Sequence, residues 1–206
     1  MTNLSHKESD GVCLWFTGLP SSGKTTVAKL VEKKLLNKEE RVERLDGDVV
    51  RQSLTSDLGF SPEDRDKNIA RVTFVAKMLQ RNDVITLSSF ITPYRAQRDY
   101  IRNEIRDAHI VHVHAPVDVC IERDPKGMYK KAQEGEIEGF TGIDAPYEEP
   151  VTPDLALHTH EETIEESADK VIVYLAQQGY LQQTEDLPTA DVEEDVAEHL
   201  RKLGYI

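Results

Sequence analysis

Cysteine is scarce in this chain: 206 residues carry two, Cys13 and Cys120, far apart and without C-x-x-C spacing. Both stand in apolar surroundings, so a disulfide scaffold and a cysteine metal site are set aside in favour of two buried thiols in a reducing compartment. Aromatic residues make up only 6%, with a single Trp, and no apolar run approaches membrane-spanning length. No membrane partner is expected. Residues 1–10 are polar and hold no apolar signal-peptide core, so the expected compartment is cytoplasmic.

Positive charge is also in deficit. Lys and Arg number 25 against 38 Asp and Glu, for a net charge of −13 at pH 7, which argues against bulk nucleic-acid binding. The deficit is uneven. Residues 51–106 hold ten Arg/Lys against seven acids, whereas residues 132–200 hold nineteen acids and one Lys. The basic segment suits a small polyanion, and the acidic half reads as a solvated face.

Against these shortages stands one stretch, Gly18-Leu19-Pro20-Ser21-Ser22-Gly23-Lys24-Thr25. It follows the apolar run Val12–Phe16 and precedes Thr26-Val27-Ala28-Lys29-Leu30-Val31, whose apolar spacing is helical. This is G-x-x-x-x-G-K-T between a strand and a helix start, a phosphate-binding loop. Gly18 and Gly23 let the backbone approach an anion, and the loop amides and helix N-terminus point at phosphate oxygens. Lys24 supplies charge for the β- and γ-phosphates, and Thr25 offers a hydroxyl to Mg²⁺.

The rest of the chain alternates. Strands are expected at Arg41–Leu45, Val84–Phe90, His109–His114 and Asp154–His158. Helices are expected to about Leu36, from a Ser61-Pro62 start through Leu79 with Asp64 as an approximate capping box, at Ala96–Arg106, at Asp118–Arg123, and from Ile164 to Gly179. Such alternation predicts an α/β fold of the P-loop NTPase type: three layers around a parallel, roughly five-stranded sheet. The long polar segment from Asp124 to Pro153 exceeds an ordinary connection and is a candidate lid. Residues 1–10 read as a polar tail and 11–181 as the single domain. Residues 182–206 read as an acidic helical extension with a Val192, Val196, Leu200, Leu203 stripe.

A phosphate loop alone does not separate kinases from switches. The expected third strand ends Leu87-Ser88-Ser89, without the usual acidic metal anchor, so the nearest strand-end acids are Asp46 and Asp48. These join Thr25 as candidate Mg²⁺ partners, partly through water, and Asp48 is also a candidate acceptor of a substrate hydroxyl proton. As a bare pattern Asp46-Gly47-Asp48 reads equally well as a turn. Asn37-Lys38-Glu39-Glu40 is no guanine reader, because it lacks the Asp and precedes the second strand. His109, His112, His114, His158 and His160 lack a carboxylate or Cys at matching spacing, so structural histidines are expected.

Several stretches in order resemble the adenylylsulfate kinase (APS kinase) family. They are Leu14-Trp15-Phe16-Thr17-Gly18-Leu19, Leu45-Asp46-Gly47-Asp48, Leu58 to Arg65, Ser89-Phe90-Ile91-Thr92-Pro93-Tyr94-Arg95, and Arg123 to Ala132. The last continues into Gly135-Glu136-Ile137, Gly139 to Asp144 and Tyr147-Glu148, and the similarity runs from about Gly11 to Gly179. The resemblance implies transfer of the γ-phosphoryl of MgATP to the 3′-hydroxyl of adenosine 5′-phosphosulfate (APS), giving PAPS. It implies a homodimer, and it brings ATP sulfurylase into view as a partner.

Carried over, it implies that ATP meets Gly18, Leu19, Pro20, Ser21, Ser22, Gly23, Lys24, Thr25, Thr26 and Arg123. APS meets Asp48, Arg51, Phe60, Arg65, Asn68, Ile91, Thr92, Lys126, Gly139 and Phe140, and the catalytic set is Lys24, Asp48 and Thr92. The residue types suit these roles. Arg forks match sulfate and phosphate oxygens, and two Phe rings suit a purine sandwich, with Phe60 expected on the core side and Phe140 in the lid. The chain departs from the family at Thr92, where Ser is common, at the Leu19–Ser22 run, where small residues are frequent, and at His114, where Asp is usual. Thr92 weakens a phospho-enzyme route and favours direct in-line transfer, with Mg²⁺ and Lys24 taking the developing charge. Two alternatives stay open. Another small-molecule P-loop kinase is opposed by the Arg123–Tyr147 sequence, and a silent APS/PAPS-binding subunit is opposed by the intact Lys24, Thr25 and Asp48.

Overall fold

The strand ahead of the phosphate loop, β1 (Cys13–Thr17), is buried at all five positions. Its side chains alternate between two apolar clusters, so both faces of the sheet are covered, which explains the unbroken apolar run. The computed structural model describes residues 11–181. Around β1 lie β2 (Val42–Asp46), β3 (Ile85–Ser89), β4 (Ala108–His114) and β5 (Leu155–His158), in the parallel order β2-β3-β1-β4-β5.

One face packs α1 (Lys24–Leu36) and α7 (Ile164–Gln177) over Val12, Leu14, Phe16, Val111, Val113 and Leu157. The other face packs α3 (Pro62–Gln80) and α4 (Arg95–Glu104) over Cys13, Trp15 and Ile110. Three layers result, and the carboxyl ends of the strands open at one edge, where α/β sheets bind ligands. Three short helices, α2 (Gly47–Val50), α5 (Val117–Arg123) and α6 (Met128–Gln133), lie among the loops at that edge.

The α/β three-layer expectation and the five strands are met, with strand ends displaced by one residue or so. Both thiols are buried and free. Asp46-Gly47-Asp48 is not a turn. Asp46 caps α2, its carboxylate accepting the Asp48 N–H at 3.0 Å. Ser61 caps α3 with Pro62 in the first turn, but only half of the capping box forms. Ser61 Oγ accepts the Asp64 N–H at 3.2 Å, while the Asp64 carboxylate turns to the Gly59 N–H at 3.0 Å.

Phe60 is 64% exposed, so the core-side expectation is corrected. It precedes the Ser61 cap, outside α3, where no core surface reaches it. The long polar segment contains α6 and is anchored by Tyr129, which is fully buried against Cys120 and Ala115. No helix among the described residues is long and apolar enough to cross a membrane. The polar tail at 1–10 and the Val192, Val196, Leu200, Leu203 stripe lie outside the described residues.

Candidate functional site

The phosphate loop is built by steric necessity. Gly18 has φ 156°, and a Cβ there would lie 2.2 Å from the Val113 carbonyl oxygen. Gly23, at φ 99°, opens α1 without a side-chain cap, so the first helical amides stay directed into the loop. Lys24 is buried, and its Nζ donates to the Gly18 carbonyl at 3.0 Å and the Leu19 carbonyl at 2.6 Å. Burial pushes its ammonium down to about 8, only partly opposed by nearby negative groups such as Asp46 and Asp48. A polyphosphate here would restore the charge that burial penalises.

Thr25 Oγ1 donates to Asp46 Oδ2 at 2.8 Å, bringing the strand-end acid of β2 onto the first turn of α1. Arg44 steadies that carboxylate at 3.4 Å and is itself held by Glu32 at 2.9 Å. The hydroxyl and carboxylate form an all-oxygen donor pair of the kind Mg²⁺ takes beside phosphates, so the residues fit that ion. Asp48 has a different partner. Its carboxylate pairs with Lys126 of the lid.

A cleft of about 330 Å³ opens beside the loop, lined by Ser21, Gly23, Thr26, Arg123, Thr159 and Ile164 among others. Arg123 donates to Thr159 Oγ1 at 3.1 Å and to the Thr159 carbonyl at 2.5 Å, while Thr159 Oγ1 donates to the Ser22 carbonyl at 2.7 Å. Thr159 thus ties Arg123 to the phosphate loop. Sequence reasoning missed it, because a lone Thr after a strand carries no motif.

Among the residues expected to meet APS, the Phe60 and Gly139-Phe140 segments are joined by one guanidinium. Arg65 donates to the Phe60 carbonyl at 2.9 Å, to Thr141 Oγ1 at 2.8 Å and to the Gly139 carbonyl at 2.6 Å. Both Phe-bearing segments are therefore held to the same side chain. Arg51 lies 4.3 Å from the Phe60 ring centroid and donates to the Leu58 and Gly59 carbonyls. Phe140 meets Tyr129 edge-on at 4.9 Å, and the Tyr129 hydroxyl donates to the Pro20 carbonyl at 3.1 Å, linking lid to loop. Asp144 closes the lid turn by accepting the Gly139 and Phe140 amides at 2.6 and 2.5 Å, and those bonds hold its carboxyl below the usual range. Asn68 is buried with its Oδ1 unpartnered.

Ile91 and Thr92 follow β3. Thr92 is buried at φ 47°, and its hydroxyl accepts the Trp15 indole N–H at 2.8 Å. Its carbonyl accepts from Arg98 at 2.7 Å. The hydroxyl is thus engaged in the core, a position unlike that of an open nucleophile. Tyr147, near the end of the lid, meets Thr17 Oγ1 at 3.0 Å and stacks on His112 at 6.1 Å. Burial first, then neighbouring positive groups, push His112 down to about 4, so it is neutral. Sequence spacing offers the histidines no carboxylate, but the fold brings one: Glu149 Oε1 stands 3.7 Å from His114 Nδ1, supplied by a segment distant in sequence.

The adenylylsulphate kinase family model matches residues 10–158. An adenylyl-sulfate kinase of Halothermothrix orenii is 56% identical over 181 residues, 88% of this chain and 98% of that protein. The solved Mycobacterium tuberculosis APS kinase CysC in complex with AMPPNP and APS is 44% identical with a TM-score of 0.79, covering 81% of this chain and 98% of that one. A hexameric APS kinase from Thiobacillus denitrificans is 32% identical with a TM-score of 0.65, over 85% of this chain and 30% of that one. With the model spanning well over half of its length and a relative this similar across 88% of it, the chain belongs to the adenylylsulphate kinase family.

Proposed function

We propose that the chain transfers the γ-phosphoryl group of ATP to the 3′-hydroxyl of APS, releasing PAPS and ADP, as the family's name and its substrate-bound neighbour indicate. The observation that carries the acceptor side is Arg65, whose three hydrogen bonds hold the Phe60 and Phe140 segments together. Three of its five N–H groups are spent on those carbonyl and hydroxyl oxygens, leaving donors for a sulfate or phosphate oxygen.

ATP fits the cleft beside Arg123 and Thr26, with its phosphates over Gly18 to Thr25. Lys24 stabilises the charge that spreads over the transferring oxygens. Asp48 takes the proton of the attacking hydroxyl. Its partner Lys126, being on the lid, couples that base to closure. Thr25 and Asp46, with Asp48 through water, would hold Mg²⁺, which would supply neutralising charge to the transferring phosphoryl group. Thr92 acts by position, through Trp15 and Arg98, and transfer is direct. The hexameric neighbour supports self-association, and a homodimer is the form we propose. We place the chain in the cytoplasm, where free thiols persist, with ATP sulfurylase as a candidate partner.

The test is steady-state ADP formation with APS compared against adenosine 5′-monophosphate and other acceptor hydroxyls. A strong preference for APS is expected. Equal rates with all acceptors, or none with APS, would remove the assignment.

A further inference from the structure

We propose that His114, His158 and His160 form a binding site for a divalent transition-metal ion of the zinc, cobalt or nickel class, apart from the Mg²⁺ of the nucleotide. The sheet register places the first two. His114 and His158 are paired residues at the ends of the neighbouring parallel strands β4 and β5, so their side chains leave one face side by side. The third arrives by a turn. The Thr159 N–H donates to the His114 carbonyl at 3.1 Å, and the Glu161 and Glu162 amides fold onto the His158 carbonyl at 2.9 and 3.1 Å. His160 is thereby returned beside the other two rings.

The ring centroids lie 5.4 Å apart for His114 and His160, 5.5 Å for His114 and His158, and 6.0 Å for His158 and His160. One nitrogen from each ring lies within 4.8 Å of the others. Ligands about 2.1 Å from a tetrahedral ion sit about 3.4 Å apart, so the rings need to close by little more than about 1 Å. His160 Nδ1 is buried without a hydrogen-bond partner, a donor atom left unused by the surrounding protein. His158 is exposed and His114 partly so, which leaves an entry path. Glu149, 3.7 Å from His114 Nδ1, provides a carboxylate beside the cluster. Imidazole selects the borderline ions over Mg²⁺ and Ca²⁺, which prefer oxygen.

The placement has a consequence for the nucleotide side. Thr159, between two of the ligands, is the residue that joins Ser22 of the phosphate loop to Arg123. An ion held by His158 and His160 would fix that junction without touching phosphate.

The experiment titrates the metal-free protein with Co²⁺, read by visible d–d absorption, and with Zn²⁺ by calorimetry, in parallel with the His158→Ala/His160→Ala double variant. Thermal melting and MgATP turnover without added transition metal establish that the variant is folded. The proposal expects one ion per chain, tetrahedral-type Co²⁺ absorption, and at least a tenfold loss of affinity in the variant. No absorption band in the parent protein, equal affinity in the variant, or equal competition by Ca²⁺ would each overturn it.

Discussion

Replacing Arg65 by Lys keeps the charge and removes the fork. The guanidinium holds three oxygens from two segments at 2.6 to 2.9 Å, whereas an ammonium on a shorter stem can keep about one of these contacts. Two lost hydrogen bonds at about 1 kcal/mol each amount to ~2 kcal/mol, or about thirtyfold. That cost falls on the arrangement of Phe60 and Phe140, and so on APS. The phosphate loop is held by its own contacts, from Gly18, Lys24 and Thr159, and should be untouched. Steady-state kinetics of Arg65→Lys should therefore show an APS KM raised roughly 10- to 100-fold, with the ATP KM within about twofold of the parent. Limited trypsin digestion should cut faster at Lys130 and Lys131, because the lid loses its tie to α3. Parallel rises in both KM values would show that Arg65 supports the whole site, and no change in either would show that it clamps nothing.

Phe140→Ala should weaken APS binding by about ten- to a hundredfold, from the roughly 1–3 kcal/mol a base-stacking ring contributes, while ATP affinity changes little; equal losses for both ligands would refute the assignment. ATP affinity should fall above about pH 8. Burial depresses the free-state Lys24 ammonium to that value, so above it Lys24 is neutral until phosphate restores the charge, and binding takes up a proton. Below about pH 8 the group is already charged and contributes no slope. Calorimetry in two buffers of different ionisation enthalpy, just above that pH, checks the uptake, and zero uptake would contradict it. Thr92→Ala should keep turnover within severalfold and lower stability by about 1–3 kcal/mol, since the Trp15 N–H loses its acceptor in the core. A folded Thr92→Ala variant lacking activity, or a phospho-Thr92 that passes its group to APS, would overturn direct transfer.

Local rules reach far along this chain, and their limits are specific. The phosphate loop, the Ser61-Pro62 helix start and the buried strands are legible because each is a pattern within a few residues. Asp46 is legible as a strand-end acid, but its bond to Thr25 depends on where β2 lies relative to α1, which only the sheet order fixes. The exposure of Phe60 is misjudged from sequence because aromatic character alone does not say which side of a cap a residue occupies. The cap contact at Ser61 is readable, yet Asp64 has a competing donor in Gly59 and turns to it. Thr163-Ile164-Glu165-Glu166 forms a full capping box, a signal as local as that at Ser61. Thr159, the Gly139 and Thr141 acceptors of Arg65, and Glu149 beside His114 are long-range meetings, with no signal in spacing at all.

Everything proposed for this site depends on phosphoryl transfer to one hydroxyl of one acceptor. Phosphorus NMR of the reaction with ATP and APS, followed by mass spectrometry of the purified nucleotide, measures that outcome itself. One ADP should form for each APS consumed, with the new phosphate on the 3′-oxygen of an intact adenylylsulfate. ADP forming at the same rate without APS, or phosphate found on any other atom, would contradict it.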